Sequence, residues 1–218
     1  MSEESVPSAP TAYPARLEVD YTVERNRVTT LFRLFLVIPI AIVYEVLTAG
    51  ATSTTYSETG KTVTTSSGGI VAGLFLATLL MILFRQRYPR WWFDFARELT
   101  RFGTRIGAYF VLLTDEYPST EDEQKVHLDI DYPTVERDLN RWLPLVKWFL
   151  AIPHYIVLFF LAVAAFFAVI VAWFAVLITG RYPLGLFDFV VGVGRWALRV
   201  NAYAFLLVTD RYPPFSLH

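Results

Sequence analysis

Three stretches of the chain are apolar for long enough to sit in hydrocarbon. Leu31–Leu47 carries only Arg33 near its start and Glu45 near its end, and Gly69–Phe84 carries no charge. Leu143–Ile178 is apolar except for Lys147 and His154. A bilayer core about 30 Å thick asks for roughly 20 apolar residues, with a lower limit near 17. The first two stretches are therefore predicted spans, at about residues 31–47 and 69–84. The third is too long for one span. It is predicted to fold back on itself as spans at about 143–160 and 162–178, with a tight turn at Leu161–Ala165. Pro39 and Pro153 are each expected to kink a helix.

Other segments have other rhythms. Leu17-Val19-Tyr21 alternates with Glu18-Asp20, and Val126-Leu128-Ile130-Tyr132 with His127-Asp129-Asp131, the period of a short strand. Trp92–Leu113 sets Phe95, Leu99, Phe102, Ile106 and Phe110 on one helical face, against Asp94, Glu98, Arg101 and Arg105. Phe189, Val193, Trp196 and Val200 against Asp188, Arg195 and Arg199 repeat that pattern. Both are predicted amphipathic helices lying in the headgroup region. Each should begin just after a Tyr-Pro pair, which would set Asp94 and Asp188 in the first turn.

These patterns recur in order. Leu17–Tyr21 answers Leu128–Tyr132, Ile38-Pro39 answers Ile152-Pro153, and Arg87-Tyr88-Pro89 answers Arg181-Tyr182-Pro183. Thr114-Asp115-Glu116-Tyr117-Pro118 answers Thr209-Asp210-Arg211-Tyr212-Pro213. Two tandem copies of one unit are expected. Residues 1–14 read as a polar, disordered tail, 15–118 as the first copy, 119–125 as a linker and 126–218 as the second copy. The polar Thr48–Ser67 segment is an insertion in the first copy, read as a solvent loop or extended hairpin. The expected fold is an α-helical integral membrane protein. Each copy should contain a transmembrane helical hairpin, an interfacial amphipathic helix and a short cytoplasmic strand.

Composition agrees: 55% of residues are hydrophobic and 18% charged, against roughly 45–50% and 25% in soluble domains. With 19 Lys and Arg against 20 Asp and Glu, the chain has no basic excess for nucleic acid. It has no cysteine and three histidines, so thiol chemistry is excluded and no metal site or cofactor is expected. Lys61 is the one basic residue in the loop between the first two spans. The positive-inside bias then puts both termini and the central segment in the cytoplasm, in a multi-pass protein of the cytoplasmic membrane.

Arg33 and Lys147 occupy matching positions about one turn inside a span. Snorkelling to the cytoplasmic interface is the favoured reading, with a paired intramembrane charge as the alternative. Arg33, Lys147, Asp94, Arg101, Arg105, Asp188, Arg195 and Arg199 form the candidate lipid-headgroup or structural network. His154 reads as a hydrogen-bonded structural histidine.

The segments around Ile152-Pro153-His154-Tyr155, Gly180–Pro183, Phe187-Asp188-Phe189 and Thr209–Phe215 resemble an uncharacterised bacterial membrane family, domain-of-unknown-function family 4389. The likeness runs over nearly the whole chain after the tail and is strongest from Trp142 to Leu217. Trp91-Trp92 in the first copy replaces a small, flexible Leu-Gly-Leu. The resemblance implies architecture and brings no activity.

No nucleophile–base pair, metal cluster or phosphate-binding glycine loop is visible, so no catalytic residue is assigned. The expected function is a non-enzymatic accessory or scaffold protein, with membrane lipids and a larger membrane complex or a homo-oligomer as partners. The alternative is an oligomeric transporter or lipid-handling protein with a site between the parallel repeats. An enzyme using Asp94/Asp188 and Arg101/Arg195 ranks third.

Overall fold

The structure, a computed structural model, describes residues 13–48, 52–56, 62–66 and 69–218. The tail expected at 1–14 lies outside these residues up to position 12. In chain order, β1 (Ala15–Val19) leads to α1 (Arg27–Thr48), then to β2 (Thr52–Tyr56), β3 (Thr62–Ser66), α2 (Ile70–Arg85) and α3 (Arg90–Phe110). β4 (Val126–Ile130) opens the second half. One helical turn, α4 (Val135–Asp138), precedes α5 (Pro144–Leu150), α6 (Ile152–Thr179) and α7 (Leu184–Ala204).

The two alternating segments pair with each other. β1 and β4 form an antiparallel ribbon with Leu17 opposite Leu128 at its centre. Ala15, Leu17, Val126, Leu128 and Ile130 are buried on one face, while Arg16, Glu18, His127 and Asp129 point to solvent on the other. A two-stranded ribbon is marginal by itself; here α7 packs along β1 and α3 along β4. β2 and β3 pair as an antiparallel hairpin, the extended-hairpin form of the inserted segment.

Pro89 and Pro183 stand at the N-caps of α3 and α7, so both helices begin where the Tyr-Pro pairs predict. The chain leaves each through a leucine with positive φ, Leu112 at 67° and Leu207 at 56°. That conformation costs a residue with a Cβ about 1–2 kcal/mol. Full burial of both leucines offsets the cost. Asp94 and Asp188 fall in the second turn rather than the first, because the four residues 90–93 and 184–187 already fill the first turn of each helix.

Two expectations about these helices change. Phe95 and Phe110 are exposed and Arg105 is buried, so the buried face of α3 is centred on Phe93, Phe102, Ile106 and Tyr109. α7 is buried almost all round, between β1 and α6, and is a core helix. An amphipathic pattern marks a face that needs covering; in α7 protein covers it on both sides.

The largest correction concerns Leu143–Ile178. α6 is one unbroken helix through the turn expected at Leu161–Ala165, so there is no span boundary at 160–162 and no transmembrane hairpin in the second half. Leu161-Ala-Val-Ala-Ala165 contains no glycine, proline or polar residue, and alanine is the strongest helix former. The break in the apolar run comes instead at Ala151, between α5 and α6, with Pro153 in the first turn of α6 where its missing N–H costs nothing. Pro39 sits inside α1 without interrupting it.

α6 runs antiparallel along α7. Near its start, Leu158 and Leu161 pack on Trp196, Val200 and Tyr203. Towards its end, Ala168, Ala172 and Val176 join the core that holds Phe187, Val190 and Val191. α1 packs in the same way on α3, through Val37, Ile40 and Tyr44 against Phe102, Ile106 and Tyr109. The molecule thus has three tiers: the ribbon, then α3 and α7, then the apolar helices. The outward side of the last tier carries exposed Leu34 and Phe35 on α1 and Phe159, Phe160, Phe166, Phe167 and Phe174 on α6. α1 and α6 are long and apolar enough to cross a membrane, and α2, at 16 residues, is shorter.

Candidate functional site

The first and third apolar stretches each begin with a basic residue turned inward. Arg33 is 2% exposed and Lys147 0%, so neither snorkels to a surface. Arg33 donates through Nη1 to the carbonyls of Tyr109 (2.9 Å) and Thr114, and through Nη2 to Asp115 Oδ1. Its guanidinium lies 4.3 Å from the centre of the Tyr109 ring. Lys147 Nζ donates to the Thr209 carbonyl at 2.8 Å, pairs with Asp210 Oδ1 at 2.7 Å, and lies 5.3 Å from the Tyr203 ring centre. Burial pulls the Lys147 ammonium below its ordinary pKa, while Asp210 opposes the shift through its hydrogen bond and its charge. Snorkelling fails because a carboxylate and carbonyls from the segment after α3 or α7 arrive beside each cation. An isolated buried charge would be far costlier than such a pair.

The carboxylates do a second job. Asp115 Oδ2 accepts from the Asn26 backbone N–H at 3.0 Å, and Asp210 Oδ2 from that of Asn140. Asn26 Oδ1 then accepts from the N–H groups of Val28 (3.0 Å) and Thr29 (3.2 Å), capping α1. Asn140 Oδ1 accepts from Trp142 N–H at 2.9 Å. Sequence reasoning assigned no role to Asp115, Asp210, Asn26 or Asn140. The two Thr-Asp pairs were legible as recurring elements; their partners lie 82 and 63 residues away.

The remaining candidates are spent on the ribbon and the segments after the helices. Arg101 Nη2 donates to the Leu128 carbonyl at 3.1 Å, and Arg195 Nε to the Leu17 carbonyl at 2.9 Å. Arg105 Nη1 donates to Ser119 O at 2.6 Å, and Arg199 to the carbonyls of Ser216 (3.3 Å) and His218. Asp94 pairs with Arg97 at 3.4 Å, and Arg101 with Glu98, so Asp94 and Arg101 do not meet. Asp188 is exposed and has no ion pair among the described residues. The tyrosines after each strand follow suit: Tyr21 OH donates to Tyr182 O at 2.6 Å and Tyr132 OH to Tyr88 O.

His154 Nδ1 accepts from Trp196 Nε1–H at 3.0 Å, and the imidazole stacks on Phe215 at 4.0 Å. The described residues contain no group of three or more His, Asp or Glu side chains able to hold a metal. Between α1, α3, α6 and α7 lies an apolar cavity of about 790 Å³.

The class of protein these features define is a mostly helical, three-tiered chain with one polar and one apolar outer side. Residues 142–216 match a family described as Domain of unknown function (DUF4389). The match takes in one copy, in the second half of the chain; the first half is not part of it. No curated protein and no solved structure matches the chain.

Proposed function

We propose that the chain is a non-enzymatic accessory protein of the cytoplasmic membrane, built from two copies of one unit. In this reading its apolar tier lies in the plane of the membrane, while the ribbon and both termini face the cytoplasm. The observation that carries it is the course of α6. Its approach through α5 is tied to the segment after α7 by Lys147 and Asp210, and its end is tied to Arg25, whose N–H donates to Gly180 O at 2.9 Å. Both ties belong to the tier that carries the ribbon, and between them the outward face of α6 is unbroken hydrocarbon. In this reading α6 lies against lipid lengthwise. This replaces four crossing segments with one embedded layer, and keeps both termini on one side as the basic residues suggest.

The non-enzymatic reading rests on the use of the polar groups. Arg33, Lys147, Arg101, Arg105, Arg195 and Arg199 are all engaged by carbonyls or carboxylates of the chain itself. Partner proteins, or a second copy, would meet the exposed charges of the ribbon, such as Glu18 and Asp20. Purification from membranes in mild detergent should recover the chain with a stoichiometric protein partner. Release by a high-pH carbonate wash would contradict the membrane reading. The cavity of about 790 Å³ favours lipid handling as a second reading.

A further inference from the structure

The cavity of about 790 Å³ is open on the apolar side of the molecule and has α3 and α7 as its floor. Small-molecule sites typically run from about 300 to 1,000 Å³. Phe35 of α1 and Phe166 of α6 stand at the wall and are also exposed on the outer apolar surface, so the cavity is continuous with that surface. Whatever fills it arrives from the same phase that covers α1 and α6. Thr100 and Thr104 line it too, but their hydroxyls donate back to the Ala96 and Thr100 carbonyls at 2.8 Å. An enclosure with this lining offers water few partners.

Two further polar side chains line it. Arg33 is 2% exposed; its Nη groups are taken by Tyr109, Thr114 and Asp115, and its Nε is sealed from the cavity, so it offers no donor there. Asn201 is the other. We propose that this cavity binds one acyl chain of a lipid drawn from the membrane. A membrane phospholipid and a free fatty acid both present that chemistry. The inference rests on the membrane reading above and names the ligand class for it.

Gly107 supplies the test. It lines the cavity, and a Cβ placed there would meet no atom within 4 Å, so a larger side chain enters empty space. Replacing a mid-helix glycine also favours the helix. Full-length protein purified in mild detergent would be examined by native mass spectrometry, alongside Gly107→Leu and Ala197→Leu. The wild type should carry one acyl-lipid adduct per chain, whose mass separates phospholipid from fatty acid. Gly107→Leu should melt no lower than wild type and lose the adduct. Should it melt lower, Ala197→Leu fills the cavity from α7 and should give the same loss. Wild type that resists carbonate extraction yet carries no acyl adduct would overturn this inference and leave the membrane reading standing. An undiminished adduct in both cavity-filling variants, or a protein segment bound in the cavity instead, would overturn it as well.

Discussion

In the first half of the chain the apolar rod comes in two pieces, α1 and α2, with the β2–β3 hairpin between them. In the second half it is α5 and α6, broken only at Ala151. The two ends are nevertheless fastened alike. A buried cation and an aspartate hold each start, and a Tyr-Pro turn reached by a tyrosine from the other half's strand holds each finish. The buried stripe is alike too: Leu74, Thr78 and Ile82 on α2 stand where Ala168, Ala172 and Val176 stand on α6. The difference teaches that the length of the rod follows the distance between its fastenings. Its middle can be opened without disturbing either end.

The largest effect should come from the fastening that is most deeply buried. Lys147→Met leaves Asp210 without its cation in a site 21% exposed, and breaking a buried pair costs about 3–5 kcal/mol. Arg33→Met should cost less, because Asp115 is more exposed, at 28%, and can recover some hydration. Thermal unfolding in detergent should rank the two in that order; equal losses would mean that the halves are fastened with equal strength.

A smaller loss is expected from the ribbon contacts. Replacing Arg101 and Arg195 together by Leu removes one charged hydrogen bond to each strand, at about 1 kcal/mol apiece once partial exposure is allowed for. The variant should express and melt less well, with no separate functional defect. A double variant of wild-type stability that loses a cellular activity would make these arginines a functional site.

Least costly should be the removal of residues 49–68, which joins α1 to α2 as a continuous rod. Closing a surface loop of this size changes chain entropy by about 1 kcal/mol or less. The shortened chain should remain folded and membrane-bound, as judged by circular dichroism and flotation. Its collapse would show that the hairpin belongs to the rod.

Much of the framework was legible. Alternation in Leu17–Tyr21 and Val126–Tyr132 marked the strands, and the Tyr-Pro pairs marked the starts of α3 and α7. What escaped was non-local. The inward turn of Arg33 and Lys147 depends on Asp115 and Asp210, and composition near a helix end is the same whether a cation snorkels or pairs. The fate of Leu143–Ile178 escaped for another reason. An apolar run has one composition whether it crosses hydrocarbon or lies in it, and a length limit applies to the first case alone. Lys147, at the start of the run, and Gly180, just past its end, are both held by segments distant in sequence, which composition does not show.

The orientation of α6 is the point on which the account turns. Phe160, Phe167 and Phe174 are exposed at successive seven-residue steps on one face, and the chain has no native cysteine. Single cysteines at these positions, spin-labelled in bilayers, would report depth through their relative accessibility to oxygen and to a water-soluble nickel complex. A helix lying in the plane gives three equal depths. A helix crossing the bilayer gives depths stepping by about 10 Å from one position to the next, and that gradient would contradict the in-plane arrangement.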